Sequence, residues 1–167
     1  MPMVKVIQNN KREILSFTDL FEKYSRDVFR YSLSILRDED EAKDAAQESF
    51  ARYFENESSF RGDCSQKTWL FVIVRNYCYS KITRADRLNE SIDEETFEMV
   101  YEPNLEESIS LKEALLCLSP LQNELLFLKE FEGYTYKEIA ELTGQSLENV
   151  KVILFRARQK LRKILKG

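Results

Sequence analysis

Histidine is entirely absent from this chain of 167 residues. The protein therefore lacks the side chain that most often acts as a general base near neutral pH and most often binds metals. The sequence also has no glycine-rich phosphate loop and no cluster of carboxylates at metal-binding spacing. These absences give an enzyme little support, and the sequence predicts neither a cofactor nor a metal site.

Cysteines and long apolar runs are also scarce. The three cysteines, Cys64, Cys78 and Cys117, have no C-x-x-C spacing, and their odd number argues against a disulfide framework or a zinc site. We interpret them as inert, buried thiols. The longest strictly apolar run, residues 69–74, is too short to cross a bilayer. Residues 1–15 lack the apolar centre of a signal peptide. The sequence therefore predicts an intracellular protein without a membrane segment of its own.

Apolar residues recur at helical spacing along nearly the whole chain. One stripe runs from Phe17 to Ile35, a second helix follows over residues 37–54, and a third spans residues 66–87. The third segment is apolar nearly all round at its centre, which is typical of the buried middle of a bundle. We predict an all-α fold with a three-helix bundle in residues 1–87.

Charge divides the chain unevenly around its net value of −4. Residues 88–107 are acidic, include Pro103 and show weak periodicity, so we predict a linker there. Helical spacing resumes in residues 108–167, which we predict to be a second domain. Its last twenty residues carry one acid, Glu148, among many lysines and arginines, and this asymmetry suggests a polyanionic partner.

The second domain contains the pattern of a helix-turn-helix. Thr135 and Glu138 have the spacing of a capping box. Gly144 permits the left-handed backbone of a tight turn, and Ser146 can cap the helix that follows. Two helices joined by a short turn with glycine form the helix-turn-helix motif, although simple helical hairpins share this pattern.

The last helix has one apolar face and one mixed face at about 100° per residue. Val150, Leu154 and Ala157 belong to the face that we predict to be buried. A major groove accommodates apolar side chains against thymine methyl groups, and amide and cationic groups against base edges and phosphates. An alternative is a solvated basic helix whose apolar residues contact a protein partner. The predicted DNA-binding residues are Asn149, Lys151, Val152, Phe155 and Arg156.

Three segments, in order, resemble the extracytoplasmic-function (ECF) group of bacterial RNA polymerase sigma factors. "DEDEAKDAAQESFARYF" resembles region 2.2, and "WLFVIVRNYCYSKITRADR" resembles regions 2.3 and 2.4. "GYTYKEIAELTGQSLENVKVILFRARQKL" resembles region 4.2. The resemblance covers residues 17–165. It implies two helical domains, regions 2 and 4, joined by the acidic linker.

The resemblance also implies roles for residues of the first domain. Asp44, Gln47, Glu48 and Phe50 match positions that in the family meet the clamp helices of the polymerase β′ subunit. Asn76 matches an asparagine near a base of the minus-ten element, with Arg75, Lys81, Arg84 and Arg87 supplying positive charge. Tyr77 or Tyr79 could stack on bases, although packing in the helix core is the favoured interpretation for both.

In region 4.2, Lys151, Phe155 and Arg156 match positions that face the minus-thirty-five element in the family. The chain departs from the family at Val152 and Ile153, where Ser-Arg is frequent. It also has Glu124 where many members have arginine, and Ser80 where an acid is common. The first departure leaves the promoter sequence open and suggests more reliance on methyl contacts.

The resemblance implies a subunit that catalyses nothing itself, binds RNA polymerase core and starts transcription at a promoter. The expected partners are the β′ clamp helices, the β flap, promoter DNA and an anti-sigma factor. The expected location is the cytoplasm, at the nucleoid when active. Two alternatives stay open from the residues alone: a helix-turn-helix regulator acting without polymerase core, and an interaction-only scaffold that has lost DNA binding.

The acidic linker suggests one more hypothesis. Glu94, Glu95, Glu98 and Glu102 could lie across basic faces of the free protein and suppress binding to random DNA. A plain solvated spacer is the favoured alternative.

Overall fold

The computed structural model describes residues 14–88 and 110–166. Within these ranges the chain forms seven α-helices and no strand, which confirms the all-α prediction. The predicted linker lies outside the described residues except for Leu88, the last residue of the third helix, and so do the four linker glutamates. The helices are α1 Phe17–Leu36, α2 Glu39–Glu55, α3 Gln66–Leu88, α4 Leu111–Leu116, α5 Pro120–Leu126, α6 Tyr136–Thr143 and α7 Leu147–Lys166.

Helices α1, α2 and α3 pack into a three-helix bundle, which we call the N-terminal lobe (residues 14–88). Ser16 caps α1 by accepting a hydrogen bond from Asp19 N, and Asp38 caps α2 by accepting one from Glu41 N. Acids in the first turn of α2 suit the positive end of its dipole. The centre of the bundle is fully buried and includes Tyr31, Phe71, Leu70 and Val74.

Helices α4 to α7 form the C-terminal lobe (residues 110–166). Pro120 opens α5, and Ser119 caps it in a capping box with Gln122. Thr135 Oγ1 accepts a hydrogen bond from Glu138 N at 3.1 Å, and Gly144 has φ +72° between α6 and α7. Ser146 Oγ accepts a hydrogen bond from Asn149 N at the start of α7. These contacts confirm the helix-turn-helix prediction.

The helix that begins with α5 changes its winding after Leu126. After α5, residues Phe127–Phe131 form one π-helical turn. The N–H of Glu132 reaches back to the carbonyl of Phe127 at 3.2 Å, and Tyr134 N reaches Leu128 O at 3.0 Å. Apolar periodicity alone does not distinguish these windings. The wider turn places Phe127 inward against the N-terminal lobe, while Phe131 is 71% exposed.

The two lobes are in direct contact, mainly through α1 and α3 on one side and α5, α6 and the π turn on the other. Arg37 ends α1 in the left-handed conformation at φ 59°, and its guanidinium donates hydrogen bonds to the carbonyls of Leu116 and Leu118. Asn123 Nδ2 donates to Ser34 O at 2.9 Å. This surface is called the inter-lobe interface below.

Aromatic and ionic contacts complete the inter-lobe interface. The rings of Tyr31 and Phe127 stack with centroids 5.8 Å apart. Lys67 forms an ion pair with Glu132. The hydroxyls of Thr68 and Tyr134 lie 3.2 Å apart. The lobes therefore form one continuous packed body in this structure, although the sequence predicts two units separated by a linker.

Candidate nucleic-acid interface

The outer face of α7 presents apolar and cationic side chains to solvent together. Val150, Leu154 and Ala157 are completely buried on its inner face. On the opposite face Val152 is 42% exposed and Phe155 is 60% exposed. Lys151 and Arg156 are exposed beside them, and among the described residues no ion pair or hydrogen bond engages either side chain. Asn149 is exposed too, with its amide donating to Gln145 Oε1 at 2.9 Å.

A shallow basic cleft extends this face towards the end of α7. Arg156 is the only one of its residues that our sequence analysis assigned to DNA binding. The additional cations follow Arg156 at helical spacings, and the tertiary structure adds Gln122 from α5. The cleft is lined by Gln122, Arg156, Gln159, Lys160, Arg162 and Lys163.

A second shallow cleft lies along the C-terminal half of α3. Asn76 and Arg84 are exposed there, as a role in strand binding requires. Lys81, by contrast, forms an ion pair with Glu41 of α2. Of the lining residues, the sequence predicted roles for Asn76, Arg84 and Arg87, and it offered Tyr79 as a base-stacking alternative. The cleft is lined by Asn76, Tyr79, Ser80, Thr83, Arg84 and Arg87.

The structure places Arg75 apart from these exposed residues. Its Nε donates to Glu124 Oε1 at 2.7 Å, and its side chain is only 14% exposed. The guanidinium also lies over the ring of Tyr79, 4.4 Å from the centroid. Burial is the largest single influence on the pKa of Arg75 and would lower it, but the charge and hydrogen bond of Glu124, together with Tyr31 and Tyr79, outweigh burial and raise the pKa. Arg75 is therefore held as a cation inside the inter-lobe interface.

Glu124 is the acceptor at the centre of this arrangement and is completely buried. Besides Arg75, it accepts a hydrogen bond from Tyr31 Oη at 2.7 Å and one from Tyr79 Oη at 2.5 Å. Burial, followed by the charge of Glu124, raises the pKa of both tyrosines above the ordinary value, so both remain neutral donors. All three donors belong to the N-terminal lobe. We call these four residues the Glu124 cluster.

The exposed face of α2 carries the residues predicted to meet polymerase. Asp44, Gln47 and Glu48 are exposed, and Glu48 pairs with Arg52 one turn later at 3.2 Å. Phe50 is only 3% exposed and therefore acts mainly as a core residue.

Phe50 supports an aromatic group at the surface that sequence analysis missed. Its ring packs edge-on to Phe21 with centroids 4.8 Å apart, and Phe17 packs edge-on to Phe54 at 5.0 Å. Phe54 is 59% exposed and Phe21 45% exposed. The signal available in the sequence was the helical spacing of Phe50 and Phe54, but only packing shows which of the two points outward.

Family comparisons agree with this arrangement. Residues 20–88 match Sigma-70 region 2, and residues 108–161 match Sigma-70, region 4. No helix in the described ranges is long and apolar enough to cross a membrane. The chain thus belongs to the RNA polymerase sigma factors that carry regions 2 and 4.

Individual relatives identify the ECF group. The chain is 31% identical to RNA polymerase sigma factor YlaC of Bacillus subtilis (strain 168), over 89% of this chain and 91% of the relative. It is 29% identical to the ECF sigma factor SigM of the same organism, over 89% and 94%. The chain is an ECF-type alternative sigma factor, a subunit that directs RNA polymerase to promoters. Nothing supports the alternative of a regulator acting without polymerase core.

Solved structures show the same fold. The sigma factor RpoE of Bartonella quintana, in complex with the anti-sigma factor NepR, superposes with a TM-score of 0.73 at 26% identity, over 90% of this chain and 96% of that one. CnrH, in complex with the cytosolic domain of CnrY, superposes with a TM-score of 0.66 over 95% of this chain and 90% of that one. At 22% identity, CnrH supports the fold alone.

Proposed function

We propose that this sigma factor reads the minus-thirty-five element with the outer face of α7. The carrying observation is the exposure of Val152 and Phe155 beside Lys151 and Arg156, which have no partner among the described residues. Leaving apolar side chains in water beside unpaired cations gains nothing for folding. A major groove supplies methyl groups for the apolar residues and phosphates or base edges for the cations.

The cleft on α3 is proposed to hold the opened strand of the minus-ten element. Asn76 provides an amide donor and acceptor for a base edge, while Arg84 and Arg87 attract the backbone. The ring of Tyr79 lines the same cleft and offers a surface on which an unstacked base can rest. The Arg75 guanidinium lies over the Tyr79 ring, so Arg75 and that face of the ring would join this surface only after release from Glu124.

Polymerase core is proposed to bind the exposed face of α2. Asp44 and Glu48 lie one helical turn apart and present negative charge to a basic coiled coil such as the β′ clamp helices. Phe21 and Phe54 would add apolar contacts in place of the buried Phe50. The C-terminal lobe would bind the β flap. Tethering two weak contacts on one chain makes the second effectively intramolecular.

Two further parts of the proposal concern regulation and location. The Bartonella RpoE structure contains an anti-sigma factor, and we propose a partner of the same class for this chain. The proposed place of action is the cytoplasm, at the nucleoid while transcription starts. As a subunit that supplies recognition, the chain would leave RNA synthesis to polymerase.

The experiment that tests this function is transcription in vitro with polymerase core on a randomised promoter library, which also yields the promoter sequence. On the selected promoter, Lys151→Ala and Arg156→Ala should each weaken binding by about 1–3 kcal/mol if they contact bases. Binding should also weaken steeply with salt, since several phosphate contacts release counterions.

Arg158→Ala is the matched control. Arg158 lies on the same helix, but its guanidinium pairs with Glu130 within the C-terminal lobe at 2.7 Å. Its removal should change promoter binding much less than removal of Arg156. Equal effects at both positions, or unchanged binding in Lys151→Ala and Arg156→Ala, would refute the assignment of α7.

A further inference from the structure

The Glu124 cluster joins the two lobes through a buried carboxylate, and burying a charge carries a large desolvation cost. Glu124 is completely buried, and its three donors, Tyr31, Arg75 and Tyr79, all come from the N-terminal lobe. A buried charge is tolerated only where partners replace its lost hydration. Such a group makes one specific packing favourable, because any displaced packing leaves it without those partners.

The cluster also occupies groups that lie beside the cleft on α3. Arg75 precedes Asn76 in the helix, and Tyr79 lines the cleft while its hydroxyl is bound to Glu124. A phosphate needs the same guanidinium that Glu124 occupies. In the closed arrangement the C-terminal lobe therefore competes with nucleic acid for Arg75 through a carboxylate that lies 2.7 Å from its Nε.

From this competition we propose that Glu124 is an intramolecular latch: the free sigma factor is closed and binds promoter DNA weakly until separation of the lobes releases Arg75 and Tyr79. The inference rests on the proposed role of α3 in strand binding. The acceptor and all three donors of the latch are residues of this chain.

Other contacts of the inter-lobe interface assist the latch without replacing it. Lys67 pairs with Glu132, and Arg37 donates to two carbonyls of the C-terminal lobe. Glu132 has a side chain that is 6% exposed, whereas Glu124 is at 0% and receives three donors. Loss of the negative charge of Glu124 should therefore weaken closure more than a comparable change elsewhere on the lobe.

The size of the effect follows from population. If closed molecules outnumber open ones about tenfold, the apparent affinity of the free chain for a strand is reduced about tenfold, and opening restores it. Polymerase core, by binding the two lobes in a separated arrangement, would remove the same loss of apparent affinity. The latch should then affect the free protein strongly and the assembled holoenzyme little.

The test uses the full chain with Glu124→Gln, which preserves shape and removes the charge, and Tyr31→Phe, which removes one donor and keeps the ring. Small-angle scattering measures the radius of gyration, which for a compact chain of this length is about 15 Å. Fluorescence anisotropy measures binding to a short single-stranded DNA of random sequence. Circular dichroism verifies that each variant is folded.

We expect Glu124→Gln to increase the radius of gyration and to bind the strand about five- to tenfold more tightly. Tyr31→Phe should change both quantities in the same direction by a smaller factor. Glu130→Gln is the matched control, because Glu130 is exposed and pairs with Arg158 inside its own lobe. It removes the same charge and should change neither quantity.

Two outcomes would overturn the latch: a folded Glu124→Gln variant with wild-type radius and affinity, or a Glu130→Gln variant with the same gain. If Glu124→Gln fails to fold, Tyr31→Phe decides by the same criteria. Transcription with polymerase core separates this inference from the proposed function. If Glu124→Gln is opened but neither it nor wild type supports transcription with core, the proposed function is refuted and the latch stands. If both chains support transcription but Glu124→Gln has the wild-type radius of gyration and strand affinity, the latch alone is refuted.

Discussion

Helices α3 and α7 both carry cations beside aromatic residues, yet the structure treats their cations differently. On α7, Lys151 and Arg156 point into solvent and have no partner among the described residues. On α3, Arg75 is drawn into the Glu124 cluster, while Arg84 on the same helix remains exposed.

The contrast teaches that the chemistry of a side chain does not determine whether it is free to bind DNA. In the sequence, Arg75 of α3 and Arg156 of α7 look equally suited to binding a phosphate. Its availability depends on what another part of the chain places against it. Lys151 and Arg156 of α7 have no partner among the described residues, whereas Arg75 of α3 is engaged by Glu124 and, under the proposed latch, becomes available only when the lobes separate.

The largest expected effect tests the contrast between buried and exposed aromatic residues. Phe127 is 8% exposed and stacks on Tyr31, whereas Phe155 is 60% exposed on α7. Phe127→Ala should lower the free energy of unfolding by about 3–5 kcal/mol, because it removes a buried ring and leaves a cavity. Phe155→Ala should change it by no more than about 0.5 kcal/mol and should instead weaken promoter binding. Urea denaturation measures the first quantity, and equal losses of stability would contradict the assignment.

A smaller effect is expected for the two arginines of α3. Arg75→Ala leaves Glu124 with a carboxylate oxygen that has lost its cation, and should lower the free energy of unfolding by about 1–3 kcal/mol. The loss is limited because the lobes can separate and let water solvate the carboxylate. Arg84→Ala removes an exposed cation and should leave stability within about 0.5 kcal/mol.

Thermal and urea unfolding of these two variants, measured side by side, sharpen the comparison within a single helix. The prediction fails if Arg84→Ala is as destabilising as Arg75→Ala. Strand binding by the free chain gives a second readout, because Arg84→Ala should weaken it directly. Arg75→Ala opens the lobes, which favours strand binding, and removes a cation, which disfavours it. Because these effects partly cancel, the change in the free energy of strand binding should be smaller than the change in the free energy of unfolding.

The smallest expected effect concerns the thiols rather than DNA. Burial raises the pKa of Cys78, on the inner face of α3, to about 12, so its thiolate is only about one part in ten thousand near pH 8. Cys64 is half-buried, and burial also raises its pKa. In the folded protein Cys64 should react with iodoacetamide at least about tenfold faster than Cys78. Mass spectrometry of digested samples measures both alkylation rates. Unfolding the chain should remove most of the difference between them. Equal rates in the folded chain would contradict the prediction.

Local features of the fold could be predicted because they depend on neighbours in sequence. Ser119 with Pro120 begins α5, Thr135 begins α6, and Gly144 takes the left-handed turn before α7. Each is a contact or dihedral within a few residues. The apolar stripe of α7 likewise predicts which of its faces is buried. The π turn at Phe127–Phe131 could not be predicted, since its apolar pattern also fits an ordinary helix.

The candidate site was predictable only in part. Exposure of Asn76, Lys151 and Arg156 agrees with their predicted roles in DNA binding, which remain predictions. Phe50 and Phe54 are one helical turn apart, and only the position of α1 decides that Phe50 is covered while Phe54 is exposed.

By itself the sequence determined most of the helices, the caps of α5, α6 and α7 and the buried face of α7, because periodicity and capping act over short distances along the chain. It also carried the family motifs that identify an ECF sigma factor. Only the tertiary structure decided that Glu124 meets Arg75 across 49 positions of sequence. The physical reason is that burial and charge pairing depend on which surfaces meet in space, and no local pattern specifies which arginine a distant carboxylate will reach.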